Sequence, residues 1–245
     1  MQVAIANEIG CPRSGSFANG DIGMNAAVDT VFLFDVDNTL LDNDRFREDL
    51  RERLRAGHGD QACARYWEIM EELWATLGYM DYLGALERLR LEAPYDLAIF
   101  QTANWFLDYP FADRLYPHAL DAVKHVRQWG SVAILSDGDA IFQPRKILRS
   151  GLWDAFNGDV LIYVHKEKEL KDVEHRLPAA HYVLIDDKTR ILAATKLAWG
   201  DRVTTIFPKQ GHYAVEEPPR DPASVDRTID KIGDLLDHDW SWMKS

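Results

Sequence analysis

The sequence predicts an α/β protein, a doubly wound parallel sheet of five main strands with an all-helical block inserted after the first. Three observations carry this. Short runs of four or five apolar residues recur, bounded by Asp, Gly or Pro, as expected of strands buried on both faces. Segments with apolar residues three and four apart alternate with these runs, the pattern of helices that cross over a parallel sheet. Between about Asn43 and Arg114 no strand pattern occurs, and a stretch of that texture suits a separate helical cap.

Taken in order, residues 1–28 carry a single Arg, much Gly, Asn and Ser, and no apolar run of secretory length. They read as a disordered leader rather than a signal peptide. Val31-Phe32-Leu33-Phe34 is the first strand and runs into Asp35-Val36-Asp37-Asn38-Thr39. From Asp44 to Arg55 an amphipathic helix places Phe46, Leu50 and Leu54 four apart, and Gly57-His58-Gly59 should end it. Gln61 to Leu77 repeats the pattern, and Met80 to Leu91 and Tyr95 to Leu107 are shorter helices before Tyr109-Pro110. These boundaries divide the chain into a core of residues 29–42 and 114–245 and a helical cap of residues 43–113.

After Tyr116-Pro117 a helix with Ala119, Ala122, Val123 and Val126 on one face is stopped by Gly130. Strand Val132 to Leu135 ends at Ser136-Asp137-Gly138-Asp139. A helix from about Gln143 to Ser150 leads to strand Val160 to Val164, and helix Glu167 to Arg176 leads to strand His181 to Ile185, ending in Asp186-Asp187. Helix Thr189 to Trp199 and strand Val203 to Phe207 follow. A Pro-rich turn at 217–219 precedes a last helix, Ser224 to Leu236.

The totals exclude several functions. A net charge of -12 argues against nucleic acid or an anionic membrane as partner, because both require a basic face. No stretch has the apolar length of a membrane helix. Cys11 and Cys63 stand in no metal or redox spacing, which suits a reduced, cytoplasmic setting. Trp240 and Trp242 close the chain as candidates to dock on the core or on a neighbouring copy; oligomeric state has no signal in the sequence.

Chemistry concentrates at strand ends, where open α/β sheets place their ligands. Asp35 and Asp37, two apart on extended chain, face the same way, and such like charges persist together only with a cation or a shared proton. Ser136 follows the second strand, Lys166 the third, and Asp186 with Asp187 the fourth. Acids on one side of a crevice and a hydroxyl and an ammonium on the other suit a divalent metal bridging carboxylates to a phosphate oxygen. Lys168 and Lys171 compete with Lys166, which is nearest the strand end. Helix capping is the plain alternative for each Asp and for Ser136. Arg45, Arg47, Arg145 and Lys146 read foremost as exposed helix charges, the cap aromatics Trp67, Trp74, Tyr79, Tyr82 and Trp105 as core, and Lys209 to Tyr213 as a surface loop.

These motifs, from Val31 to Phe207, resemble the haloacid dehalogenase superfamily. Asp35, Asp37 and Thr39 match its Asp-x-Asp-x-Thr, Ser136 its second motif, Lys166 its third, and Asp186-Asp187 its paired acid; here that pair runs into Lys188 where many relatives carry another acid a turn later. The resemblance implies a Rossmann-like core and a Mg²⁺-dependent phosphatase acting on a small phosphorylated substrate. Asp35 would be nucleophile, forming an aspartyl phosphate. Asp37 would be acid and base. Thr39, Ser136, Asp137 and Lys166 would hold substrate, and the metal would be held among Asp35, Asp37, Asp186 and Asp187. Relatives that cleave carbon–halogen bonds lack an acid at the Asp37 position, since halide needs no proton. The rivals are a phosphonatase or dehalogenase on the same core and a non-catalytic phosphate-binding protein.

Overall fold

The structure is a computed structural model that describes residues 28–216 and 222–240. The expected leader, apart from Val28, the Pro-rich turn at 217–219, Cys11 and Trp242 lie outside the described residues. Six parallel strands form one sheet: β1 Val28–Phe34, β2 Ser131–Asp137, β3 Val160–Tyr163, β4 Ala179–Ile185, β5 Val203–Pro208 and β6 Arg227–Ile229, in the order β3-β2-β1-β4-β5-β6. The strand that carries the first motif is therefore central. Phe34 pairs with Ile134 of β2 and Ile185 of β4. The residues after these strands consequently leave the sheet together.

Alternate residues of β1 serve opposite faces, as the two-residue period of a strand requires. Phe32 and Phe34 pack with Val132, Ile134 and Ile185 beneath α4 (Ala119–Val126) and α5 (Phe142–Arg149), with the short α6 (Leu152–Ala155) beside them. Val31 and Leu33 face the other layer, α7 (Leu170–Arg176) and α8 (Thr189–Trp199). The segment expected to be helical from Glu167 begins as a 3-10 turn, Lys166–Lys168, before α7.

The inserted block is α1 (Asn43–Leu77), α2 (Tyr82–Glu92) and α3 (Ala98–Asp108). Gly57-His58-Gly59 does not end α1; the helix kinks at Gly59 (φ 82, ψ 170) and continues to Leu77. His58 accounts for the continuation, its Nδ1 lying 2.5 Å from Asp96 Oδ2 and its Nε2 2.9 Å from Thr102 Oγ1, which pins the kink to α3. The block joins the sheet through a narrow pair of segments. Asp42 N donates to Arg114 O at 2.7 Å, Tyr116 N donates to Leu40 O at 2.9 Å, and Leu41 bridges Leu115. Phe46 is the anchor between block and core, its ring centroid 5.3 Å from Tyr82, 5.0 Å from Tyr109, 5.2 Å from Phe111 and 5.7 Å from Phe142.

The tail differs from the helix expected over Ser224 to Leu236. It makes the edge strand β6 and then a 3-10 turn, Ile232–Leu236. Ile229, Ile232 and Leu235 are all buried, so their three-residue spacing imitates a helix face although strand and turn supply it. Asp226 decides the matter locally, accepting from Thr205 N at 2.8 Å and thereby docking the segment on β5. Trp240 docks on the core, edge-on to Phe32 with centroids 5.1 Å apart. Among the described residues no helix is long and apolar enough to cross a membrane. A short helix, α9 (Tyr213–Glu216), follows β5.

Candidate active site

Asp35 takes its place because β1 is tied to β4 at its last rung, with Asp35 N donating to Ile185 O at 2.9 Å. Asp186 leaves β4 next to it, and Asp186 N donates to Ile206 O at 3.2 Å. Asp35, Asp186 and Asp187 are all buried, and one carboxylate oxygen of each lies within 4.8 Å of the others. Lys166 enters from the end of β3, the edge strand beyond β2. It is completely buried, its Nζ paired with Asp35 Oδ1, 2.6 Å from Asp186 Oδ2 and donating to Leu135 O at 3.1 Å. Lys168 is exposed, so of the competing lysines the fold brings Lys166 to the acids.

Burial pushes the Asp186 carboxyl up to about 6 despite Lys166 beside it, and raises Asp187 well above the ordinary carboxylate range. Burial alone would lower the Lys166 ammonium; Asp186 and Asp35 outweigh it and hold the group above its usual value. Neither oxygen of Asp187 nor Asp35 Oδ2 meets a hydrogen-bond donor. Buried carboxylate oxygens left bare in this way are expensive. Hard oxygen donors converging from two loops, with Asp186 already engaged by Lys166, fit a small divalent cation held chiefly by Asp35 and Asp187.

The remaining expected residues surround this cluster. Thr39 is buried, and its Oγ1 accepts from Asp187 N at 3.2 Å, linking the first and fourth motifs. Ser136 is buried and its Oγ accepts from Gln143 Nε2 at 3.0 Å. Asp137 lines the cavity, but its Oδ1 accepts from Lys166 N at 2.8 Å and so supports the loop of the lysine. Asp37 is partly exposed to a cavity of about 620 Å³ that also borders Arg47, Trp74, Tyr79, Lys188 and His212. The cavity walls come from both the helical block and the sheet edge.

Several side chains that the sequence left without a role, or read foremost as exposed charge or surface loop, also stand at the site. Lys146 is completely buried, its Nζ 2.7 and 2.9 Å from the two oxygens of Asp37. Gln143 joins it on the same helix. Lys188 borders the cavity, with Asp35 and Asp187 holding its ammonium above the ordinary lysine value against the opposing effect of burial. The segment from Lys209 to Tyr213, expected as a surface loop, reaches the site: Gln210 Nε2 donates to Thr39 O at 3.4 Å, and Asp44 binds His212 through its backbone N at 2.7 Å and its Nδ1 at 2.6 Å. Of the helix charges, Arg47 borders the cavity while Arg45 pairs with Asp49 at 2.9 Å. Of the cap aromatics, Trp74, Tyr79 and Tyr82 border the cavity.

A family model of haloacid dehalogenase-like hydrolases matches residues 30–197. The chain is similar to the crystal structure of a haloacid dehalogenase-like hydrolase from Burkholderia xenovorans LB400, with 54% identity over 88% of this chain and 98% of that one and a TM-score of 0.79. It shares its fold with the HAD-hydrolase YfnB from Bacillus subtilis bound to magnesium, at 19% identity over 85% of this chain and 97% of that one and a TM-score of 0.57. It shares its fold also with the L-2-haloacid dehalogenase from Xanthobacter autotrophicus, at 18% identity, 85% and 97% coverage and a TM-score of 0.56. No curated protein matches the chain.

Proposed function

Given that the chain belongs to the haloacid dehalogenase-like hydrolases, we propose that it is a Mg²⁺-dependent phosphatase that cleaves a small organic phosphomonoester through an aspartyl phosphate. The observation that carries this reading is Asp37, a second carboxylate two residues past the buried Asp35 and bordering the same cavity. A halide departs without a proton, whereas an alkoxide does not; a proton-carrying group beside the nucleophile has a task in ester cleavage and none in dehalogenation.

Asp35 attacks phosphorus, splitting hydrolysis into two displacements at one carboxylate. Asp37 protonates the departing ester oxygen and later takes a proton from the attacking water. Lys166, Ser136 and Thr39 hold the phosphoryl oxygens and meet the charge that grows on them. Asp35 and Asp187, with the backbone carbonyl of Asp37 and support from Asp186, would hold Mg²⁺, which would supply charge to neutralise the phosphoryl group. Magnesium bound by the Bacillus relative supports that choice of metal. The helices α1 to α3 serve as the cap, closing the cavity over the leaving group and excluding water.

The test is release of inorganic phosphate from an aryl phosphate and a panel of phosphorylated metabolites, with Mg²⁺ and with chelator. Asp35→Asn should abolish turnover, and Asp37→Asn should lower it by roughly a hundredfold or more. Turnover of haloacids or phosphonates but of no phosphomonoester refutes the reading in favour of a related hydrolase. Silence of the folded protein on all three classes refutes it in favour of a binding protein.

A further inference from the structure

We propose that Lys146, on the buried side of α5, is a positioning residue that aims the carboxylate of Asp37 for its proton transfers, so that cleavage of poor leaving groups depends on it. The inference rests on the acid/base assignment of Asp37 above. Lys146 is completely buried. Two of its N–H groups go to the two oxygens of Asp37, at 2.7 and 2.9 Å, and a third contact goes to Asn43 Oδ1 at 3.1 Å. The ammonium is walled in by the rings of Phe46, Tyr82, Phe111 and Phe142, whose centroids lie between 5.7 and 6.0 Å away.

Three acceptors for three protons leave the ammonium no freedom to turn. A carboxylate gripped through both oxygens is likewise held in plane, as in other bidentate pairs. Gln143 on the same helix donates to Ser136 Oγ at 3.0 Å and lies 3.5 Å from Asp37 Oδ2, so one short helix steadies both the acid and the phosphate-side hydroxyl. As a packing device the cation makes little sense. A buried ion pair usually stabilises a fold no better than apolar side chains of the same volume. What the cation does here is fix Asp37, whose side chain is 25% exposed and borders the cavity.

The chemistry makes that aim consequential. In the first displacement the Asp35 carboxylate forms its bond to phosphorus while the bond from phosphorus to the ester oxygen breaks. The proton of Asp37 passes to that oxygen, which leaves as the alcohol. In the second, Asp37 takes a proton from water as the water oxygen bonds to phosphorus and the aspartyl oxygen departs, restoring Asp35 and releasing inorganic phosphate. Both transfers require an Asp37 oxygen within hydrogen-bond reach of the reacting oxygen, and small misplacements are costly. The polar contacts of Lys146 are with Asp37 and Asn43, so it acts through the acid and not on the phosphoryl group.

The experiment compares kcat/KM for p-nitrophenyl phosphate, whose nitrophenolate leaves without a proton, with that for a primary alkyl phosphate turned over by the native protein. This ratio reports the first displacement alone. Lys146→Met should lower the alkyl value by about a hundredfold and the aryl value by less than about tenfold, with KM for both little changed. Asn43→Ala, which loosens the ammonium without altering its charge, should shift the same ratio in the same direction by about fivefold, and it carries the test should Lys146→Met fail to fold by circular dichroism. Equal losses on both substrates, or an unshifted ratio in the folded variants, overturn the proposal. Asp37→Asn is the control: if it does not itself discriminate between the substrates, or if the native protein cleaves neither, the acid/base reading has failed and the role of Lys146 falls with it.

Discussion

Replacing Asp187 by Asn should make the metal-free protein more stable and should abolish its response to Mg²⁺. Asp35, Asp186 and Asp187 crowd three carboxylates into one buried place, and the pairs made by Lys166 reach only the first two. Both Asp187 oxygens are without a donor. Burial lifts Asp186 from 3.8 to about 6, a displacement worth roughly 3 kcal/mol at about 1.36 kcal/mol per pKa unit. Burial raises Asp187 well above the ordinary carboxylate range in the same direction, so its charged form is a cost of the same sign. Because the folded pKa values are raised, the folded chain holds these protons more firmly than the unfolded chain does. Their stabilisation is complete below about pH 4 and is lost as pH rises through about 6 and above. Asn removes that loss.

In chelator at pH 7.5, melting followed by circular dichroism should place Asp187→Asn about 5–10 °C above the native protein, at about 2–4 °C per kcal/mol for a chain of this size. The gap should narrow at pH 5. Mg²⁺ at a hundred times its Kd should stabilise the native protein by about 2.7 kcal/mol and leave the variant unmoved. A variant that melts below the native protein in chelator, or that gains as much from Mg²⁺, would refute the argument that Asp187 is a bare carboxylate awaiting a cation.

Two substitutions away from the acids test how the block and the loops support the site. Phe46→Ala empties the ring that joins α1 to Phe111 and Phe142, and should cost about 3–5 kcal/mol in urea unfolding. Gly211→Ala combines a left-handed backbone (φ 68) with a new Cβ only 2.5 Å from Asn38 Cβ. It should cost roughly 2 kcal/mol or more, and because Asn38 Oδ1 accepts from Asn43 N and Asp44 N at the start of α1, phosphate release should fall as well.

Strand ends were legible because burial on both faces leaves an unbroken apolar run, and an acid after such a run stands out. Asp35 and Asp186-Asp187 stand out in this way, and Ser136 as the hydroxyl that closes another such run. Lys166 needed the fold to separate it from Lys168, since exposure and not identity distinguishes them. Lys146 was hidden by its own polarity. On α5 the buried positions are Phe142, Gln143, Lys146 and Ile147, so the signal was a polar pair lying on the apolar stripe of a short helix. Gln210 and His212 left no local trace, because their partners Thr39 and Asp44 lie 171 and 168 residues away in the chain. The tail misled by periodicity, its buried Ile229, Ile232 and Leu235 being spaced like a helix face. Gly59 did mark a break in α1, but the contacts of His58 with α3 turned it into a bend.

The narrow junction at Leu41 and Leu115 separates two kinds of change. Both ends of the helical block meet the sheet side by side, so residues can be gained or lost among α1 to α3 without moving the rungs that align β1 with β2 and β4. The residues proposed to break bonds sit on the sheet side of that junction, while Arg47, Trp74, Tyr79 and Tyr82 of the cavity wall sit beyond it. On the proposed function, selectivity and chemistry would then be written in different parts of the chain. A descendant could exchange one kind of leaving group for another by rewriting the helices while the acids stay where the strands put them.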